Sequence, residues 1–268
     1  MKLIQAAKKS LGQNFLIDNN IIKKIVKIPD ITKNTIIFEI GAGYGNLTSA
    51  ISSMNPKKIF AIEKDKKLSA LLEKKFHDKK NINIINDNVL NVISKKNLEK
   101  DIIVFGNLPY NISTKILASL ILLTRWPPWY GSLIFMFQEE VANRMLAKPK
   151  TKEYGRLSIL ANWRLDIKKH FSVSNNCFYP KPKIKSTLLS FKPKKNIKFD
   201  LKNPKNLETI TRVLFSNRRK MINKNFKRLF GKNNTIAKNL NIDLSLRPEQ
   251  LNNETFYKIA IEYENLFN

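Results

Sequence analysis

Short apolar runs alternate with amphipathic stretches along the first two thirds of this chain. The apolar runs are rich in Ile, Val and Phe and have the length of buried strands, while apolar residues between them recur at helical spacing. The strand-like runs cover residues 35–40, 58–63, 83–85, 101–106 and 132–137. Regular alternation of strands and helices predicts an α/β domain with a mostly parallel sheet.

The remaining apolar patterns complete this outline. Helical spacing over residues 21–28 and 112–123 predicts two helices. Residues 164–171 and 187–191 are expected to form two edge strands around an intervening loop. A lysine-rich stretch broken by prolines, residues 192–204, predicts a linker, and beyond it the pattern is helical with no further strand. We therefore expect one domain over residues 1–195 and a small all-helical domain over residues 196–268.

Residues with distinctive chemistry follow four of the predicted strands. The first runs into a glycine loop that begins at Gly41, where a missing Cβ lets a cofactor approach the backbone and the next helix. Glu63 ends the next strand about 20 residues later, the spacing of an acid that binds ribose hydroxyls. Asp87 and Asn107 follow the next two strands. Parallel strands would bring all four residues to one crevice at the carboxyl edge.

The glycine loop is compatible with two cofactors. A dinucleotide site normally has the pattern G-x-G-x-x-G, whereas Gly41, Gly43 and Gly45 form G-x-G-x-G. NAD also leaves the residues after Asn107 without a role, while Asp87 suits the adenine amino group of S-adenosylmethionine. The pattern favours the methyl donor over NAD.

The turn at residues 107–110, Asn-Leu-Pro-Tyr, provides two acceptors beside an aromatic ring. The Asn107 side chain and the Leu108 carbonyl can each accept a hydrogen bond from an amino group, and Pro109 restricts their direction. Tyr110 can stack on a planar base. The turn resembles the Asn-Pro-Pro-Tyr motif of enzymes that methylate the exocyclic amine of a base. An ordinary strand-to-helix turn is the alternative.

Charge adds a second feature. The formal net charge is +28, which favours a polyanionic partner, although a chain rich in Lys, Asn and Ile also reflects an AT-rich genome. No acid occurs between Glu208 and Asp243, where many Arg and Lys residues occur. Phe215, Ile222, Phe226 and Leu229 would share one helix face, with Lys220, Lys224, Lys227 and Arg228 opposite and Arg219 near the apolar arc. We expect this basic face to contact nucleic acid.

Several classes of protein are disfavoured. A single cysteine, Cys177, excludes a disulfide framework, and neither histidine is placed as a metal ligand. The amino terminus lacks a secretory signal, and the apolar stretch at residues 116–123 is too short for a membrane span. We expect a soluble cytoplasmic protein with no metal. The aromatic loop at residues 125–131 is interpreted as a packed helix-to-strand connection rather than a stacking platform.

Several motif blocks, in order, carry a resemblance over nearly the whole chain. They start at Lys9, Gly41, Gly106, Gln138, Tyr154, Phe178 and Phe215: KSLGQNFL, GAGYGNLT, GNLPYNIST, QEEVANR, YGRLS, FYPKPK and FSNRRK. The sequence is similar to the small-subunit ribosomal RNA adenine dimethyltransferases, the KsgA/RsmA family. Ala42 departs from the proline of many relatives, which would only loosen the turn.

The resemblance implies a Rossmann-like class I methyltransferase domain with a mostly parallel seven-stranded sheet, and S-adenosylmethionine as the cofactor. The implied cofactor-binding residues are Asn14, Leu16, Gly41, Glu63, Asp87 and Asn107. Residues 107–110 would be catalytic, and Phe178 would form a second aromatic wall beside the target base. Arg218, Arg219, Lys220 and Lys224 would bind RNA.

The implied substrate is a pair of adjacent adenosines in the 3′-terminal hairpin loop of 16S rRNA, dimethylated at N6 within an immature small subunit by a monomeric enzyme. Three alternatives stay open. One is a methyltransferase of large-subunit (23S) rRNA, and another is a DNA adenine methyltransferase, which would usually need a larger sequence-reading domain. The third is an assembly checkpoint factor that acts mainly by binding.

Overall fold

The computed structural model describes residues 12–93, 99–231 and 235–267, so Lys9–Leu11 of the first motif block lie outside the described residues. The chain divides into two compact units. Unit 1 comprises Met1–Leu120, Pro128–Glu139 and Lys168–Pro193, and unit 2 comprises Ile121–Pro127, Glu140–Ile167 and Lys194–Asn268. The boundary between residues 195 and 196 stays a prediction.

The main sheet has seven strands in the order β4-β3-β2-β5-β6-β9-β7. The strands are β1 (Phe15–Leu16), β2 (Ile36–Ile40), β3 (Lys58–Ile62), β4 (Ile82–Ile85), β5 (Ile102–Gly106), β6 (Tyr130–Gln138), β7 (Leu165–Val173), β8 (Phe178–Tyr179) and β9 (Ser186–Pro193). Strands β2 to β6 pair in parallel and β9 pairs antiparallel with β6, while β1 and β8 form a separate pair. The predicted Rossmann-like α/β sheet is confirmed.

The predicted edge position of residues 187–191 is wrong. Strand β9 lies between β6 and β7, and every residue from Ser186 to Phe191 is buried. A run buried on both faces is typical of a central strand, whereas an edge strand usually carries exposed charges. Such charges, Lys168 and Lys169, occur instead on β7, which does lie at the edge.

Helices cover much of the remaining chain. They are α1 (Asn19–Val26), α2 (Asn46–Ser53), α3 (Lys66–Lys75), α4 (Val89–Ile93), α5 (Tyr110–Ile121), α6 (Glu139–Leu146), α7 (Arg156–Arg164), α8 (Lys205–Leu214), α9 (Asn223–Phe230), α10 (Thr235–Asn239) and α11 (Asn253–Phe267). Within the described part of the chain, only helices and turns follow β9, as predicted. None of the described helices is long and apolar enough to cross a bilayer.

The core of unit 1 fixes the strand ends that matter for function. Ile37, Ile59 and Phe105 on three adjacent strands are completely buried in one apolar cluster. In the parallel register, Ile40 of β2 pairs with Ile62 of β3 and with Gly106 of β5. The segments that leave these three strands therefore start side by side at the carboxyl edge of the sheet.

The continuous basic helix predicted around residues 215–229 is interrupted. Helix α8 ends at Leu214, a short 3-10 turn covers Phe215–Asn217, and α9 begins only at Asn223. The Asn225 side chain donates to the Leu214 carbonyl at 3.2 Å, which satisfies the end of α8 across this turn. Arg219 follows this turn and is exposed, so the helical projection that placed it near the apolar arc does not apply.

The aromatic loop at residues 125–131 packs against its surroundings, as expected. In unit 2, the Trp126 indole donates to the Lys194 carbonyl at 3.0 Å. In unit 1, the Trp129 ring lies 5.4 Å from the Phe38 ring. Both rings therefore have structural partners.

Candidate active site

A cavity of about 270 Å³ opens at the carboxyl edge of the sheet in unit 1, close to the lower end of the range of about 300–1,000 Å³ that is usual for small-molecule sites. Its lining includes Asn14, Gly41, Glu63, Asp87, Asn107 and Pro109. The structure thus brings together most of the residues predicted for the cofactor and two of those predicted for catalysis.

The glycine loop packs closely against the amino-terminal segment. Gly43 has a φ of 58°, and a Cβ built there would lie 2.8 Å from Cδ1 of Phe15, so a larger residue would displace that ring. The Asn46 side chain donates to the Leu16 carbonyl at 3.0 Å. Leu16 itself borders a smaller adjoining cavity, and its side chain is buried in the core.

Glu63 presents a carboxylate held by two backbone groups. The Gly43 N–H donates to Oε2 at 3.0 Å and the Asp65 N–H donates to Oε1 at 2.9 Å. Only 7% of Glu63 is exposed, and burial raises the pKa of its carboxyl group against the opposing effect of these hydrogen bonds. A carboxylate has about four acceptor positions, so Glu63 can still accept a bond from a ligand hydroxyl.

Asp87 follows β4 in a tight polar turn. Its Oδ1 accepts from the Asn88 N–H at 2.6 Å and from the Asn91 side chain at 2.9 Å. These bonds orient the carboxylate at the cavity wall. The neighbouring Val89 is buried, and together with Ile62 it gives this part of the cavity an apolar surface that suits a flat ring.

The Asn107 side chain has a defined orientation. Its Nδ2 donates to the Asn14 carbonyl at 2.9 Å, so Oδ1 is the atom that can accept a further bond. Pro109 directly precedes α5, and its carbonyl accepts from the N–H groups of Ile112 and Ser113 in the first turn, both at 3.1 Å. The turn predicted to be catalytic, residues 107–110 and called here the catalytic turn, is therefore fixed at both ends.

Leu108 and Tyr110 are not among the cavity-lining residues. The Leu108 side chain is buried, and a Cβ on Gly106 would lie 2.8 Å from its Cδ2. The Tyr110 hydroxyl lies 2.6 Å from the Ser186 hydroxyl. Burial raises the pKa of Tyr110, so the phenol stays protonated and available for this hydrogen bond.

The predicted aromatic wall, Phe178, is 3% exposed and belongs to the apolar cluster of unit 1. It pairs with Leu16 across the short β1–β8 ladder. The next residue, Tyr179, is 45% exposed. The structure therefore places the Phe178 ring in the core, and its contact with a base stays a prediction.

The basic residues predicted for RNA differ in their surroundings within unit 2. Arg218 pairs with Glu249 at 2.7 Å and also donates to the Lys152 carbonyl. Arg219, Lys220 and Lys224 are exposed, and no ion pair of theirs is found within the described ranges. Arg218 therefore has partners within the protein, the other three residues keep their charges accessible, and RNA contact by all four stays a prediction.

Sequence reasoning missed Glu39. It is 1% exposed on β2, and its Oε2 has no hydrogen-bond partner among the described residues. Burial raises the pKa of its carboxyl group to about 8, more than the nearby Lys75 charge lowers it. Glu39 borders the smaller adjoining cavity, which shares Gly41 and Asn107 with the main one. The sequence did contain a signal for this residue, because Glu39 is an acid within an otherwise apolar strand run.

Comparisons with known proteins agree along nearly the whole chain. A family model described as ribosomal RNA adenine dimethylase matches residues 4–265. The ribosomal RNA small subunit methyltransferase A of Pelagibacter ubique (strain HTCC1062) is 49% identical over 260 residues, covering 97% of this chain and 98% of the relative. The protein of the same name from Wolbachia sp. subsp. Drosophila simulans (strain wRi) is 37% identical over 270 residues, covering 99% and 97%.

Two solved structures share the fold. A dimethyladenosine transferase from Plasmodium falciparum superimposes with a TM-score of 0.76 at 24% identity, covering 94% of this chain and 98% of that one. The 23S rRNA methyltransferase ErmE superimposes with a TM-score of 0.66 at 18% identity, covering 94% and 99%. At these identities the likeness concerns the fold alone.

Proposed function

Because this chain belongs to the ribosomal RNA adenine dimethylase family, we propose that it dimethylates the N6 amines of two adjacent adenosines in the 3′-terminal hairpin loop of 16S rRNA. The family uses S-adenosylmethionine as methyl donor. One observation in the structure carries the proposal: the oriented Asn107 amide borders the same cavity as Gly41, Glu63 and Asp87.

The choice of the small subunit rests on the relatives. The two relatives described above are named small subunit methyltransferases, and each aligns with this chain over nearly the full length of both proteins. We propose that it acts as a monomer in the cytoplasm, on the immature subunit during late assembly. In this role residues 1–195 hold the reaction site, and residues 196–268 bind RNA.

The cavity suits the methyl donor. Gly41 borders the cavity and has no side chain, so a ligand can approach the loop backbone there, and the Glu63 carboxylate can accept bonds from ribose hydroxyls. Asp87 can accept a bond from the adenine amine of the donor, while Asn14 lines the same cavity and Leu16 borders the smaller adjoining one. When bound, S-adenosylmethionine supplies an activated methyl carbon, which leaves its sulfur as the amine lone pair forms the new carbon–nitrogen bond.

The catalytic turn prepares the amine. An adenine amine is a poor nucleophile because its lone pair is delocalised into the ring. Asn107 Oδ1 and the Leu108 carbonyl would accept hydrogen bonds from its two N–H groups, draw the nitrogen toward tetrahedral geometry and aim the lone pair at the methyl group. The Asn14 carbonyl holds Nδ2 and so keeps Oδ1 as the acceptor. The proton released from the amine passes to water.

The free-energy cost of extruding the target base also has to be offset. Extruding a base costs a few kcal/mol, and stacking on Tyr110 would return about 1–3 kcal/mol. The hydrogen bond to Ser186 holds the Tyr110 ring in place for this purpose. Phe178 would complete a second wall only after its ring leaves the apolar cluster.

In the decisive experiment, the protein is incubated with labelled S-adenosylmethionine and unmethylated small subunits. Large subunits and duplex DNA serve as controls. We expect label only in the small-subunit rRNA, at two adjacent adenosines located by mass spectrometry of the 3′-terminal fragment. Label in large subunits or in DNA would contradict the proposed substrate. Tight binding to small subunits without any label would support the checkpoint alternative.

A further inference from the structure

Residues 179–185 form an exposed basic segment in unit 1, called here the basic strap. Lys181, Lys183 and Lys185 are exposed at every second position, while Pro182 between them is buried. Two large apolar side chains of the strap are also accessible, with Tyr179 45% and Ile184 43% exposed. Cations beside accessible ring surface are the combination that binds single-stranded nucleic acid.

The strap lies in a stretch without acids. No Asp or Glu occurs between Asp166 and Asp200. Within the part of the chain that the structure describes, none of the three strap lysines forms an ion pair. A solvated surface usually interleaves both signs of charge, and three unpaired like charges so close together repel one another. An anionic partner would relieve that repulsion.

Both ends of the strap are attached to the candidate active site. At the first end, Tyr179 pairs with Phe15, a residue that lines the main cavity. At the other end, the Lys185 carbonyl accepts from the Glu139 N–H at 3.1 Å, and the next residue, Ser186, bonds to Tyr110. Ser186 also pairs with Gln138 at the carboxyl end of β6, the same edge from which the catalytic turn leaves β5.

We propose that the basic strap binds the phosphates of the RNA nucleotides that flank the target adenine. Extruding a base moves its sugar and the adjoining phosphates toward the enzyme, and the strap lysines belong to a segment attached beside the catalytic turn. Tyr179 offers a flat surface for a neighbouring base. This inference rests on the proposed function and adds a contact distinct from Arg219, Lys220 and Lys224.

The test compares two triple variants with the same loss of charge. The strap variant carries Lys181→Gln, Lys183→Gln and Lys185→Gln. The control carries Lys33→Gln, Lys79→Gln and Lys80→Gln, exposed residues that precede β2 and β4 and therefore lie toward the amino edge of the sheet. A third variant with Arg at all three strap positions keeps the charge.

Affinity for unmethylated small subunits is measured by filter binding from 50 to 200 mM salt. Each lost phosphate contact lowers the slope of log affinity against log salt by about 0.7, so we expect the strap variant to lose about 2 in slope and at least about tenfold in affinity. The control and the Arg variant should match the wild type. The dissociation constant for S-adenosylmethionine and the melting temperature should not change.

The possible outcomes separate the inference from the proposed function. An unchanged salt slope in the strap variant, or equal losses in the strap and control variants, would overturn the inference while wild-type methylation of small subunits stands. Wild-type protein that methylates no small subunit would overturn the proposed function, whatever the strap variant does. A selective loss of slope together with a raised KM and an unchanged kcat would support both.

Discussion

The hydroxyl groups of Tyr110 and Ser186 lie 2.6 Å apart, so the first residue of α5 is bonded to the first residue of β9. Tyr110 ends the catalytic turn and Ser186 follows the basic strap. This hydrogen bond joins the residue that would stack on the target base to the segment that would hold its flanking phosphates.

The first prediction concerns this bond. Ser186→Ala should lower kcat by about tenfold, because losing one hydrogen bond to a half-buried hydroxyl costs about 1–3 kcal/mol and frees the ring to rotate. Tyr110→Phe should have a similar effect, and the double variant should be no worse than either single one. Single-turnover rates measure the effect, with exposed Ser172→Ala as control. Additive losses would mean that the two hydroxyls act independently.

A second prediction concerns the amide acceptor. Asn107→Ala should lower methyl transfer by at least about 100-fold, the usual effect of removing one preorganised hydrogen-bonding group from a reaction site. Binding of small subunits should stay within twofold, because the basic surfaces are unchanged. Rates are followed with labelled donor and binding by filter retention. An active Asn107→Ala enzyme would refute the assigned role.

Glu39 gives a third prediction, about stability and pH. Its folded-state pKa of about 8 lies above the ordinary value of 4.5, so its protonated form favours folding. This stabilisation is complete below about pH 4.5 and is lost as the pH rises through about 8. Relative to wild type, Glu39→Gln should therefore gain melting temperature steadily from pH 5 to pH 8. Exposed Glu73→Gln is the control and should show no such trend.

The basic surface of unit 2 gives a fourth prediction. Lys220→Glu with Lys224→Glu should weaken RNA binding and flatten its salt dependence, because both side chains are exposed and carry accessible charge. Lys33→Glu with Lys80→Glu changes the net charge equally at other positions. If both pairs weaken binding to the same extent, only total charge matters and this surface does not contact RNA.

Local patterns were sufficient to predict the strands of the main sheet and the residues at their carboxyl ends. Gly41 and Glu63 each follow an apolar run. Because the two strands pair in parallel, the residues at their carboxyl ends lie side by side. The internal position of β9 was missed because it depends on pairing with β6 and β7, which local sequence patterns do not reveal. The interruption after Leu214 was missed because a side-chain bond from Asn225 replaces continuous helical bonding there.

Contacts between remote segments were beyond the reach of the sequence pattern. The bond from Asn107 to the Asn14 carbonyl joins residues far apart in the chain, and no periodicity indicates it. No sequence pattern indicated the hydrogen bond between Tyr110 and Ser186 either, or that Ile62 and Val89 would line the cavity. The resemblance to a family supplied Asn14 and Leu16 as site residues, and the structure supplies their hydrogen bonds.

Those bonds give residues 14–16 a double attachment. Asn46 behind the glycine loop donates to the Leu16 carbonyl, and Asn107 of the catalytic turn donates to the Asn14 carbonyl. A donor that ordered this short piece of backbone would also restrain Asn107, the residue proposed to hold the target amine. Donor and RNA affinities would then be linked, and since linkage is reciprocal, each would tighten the other by the same factor.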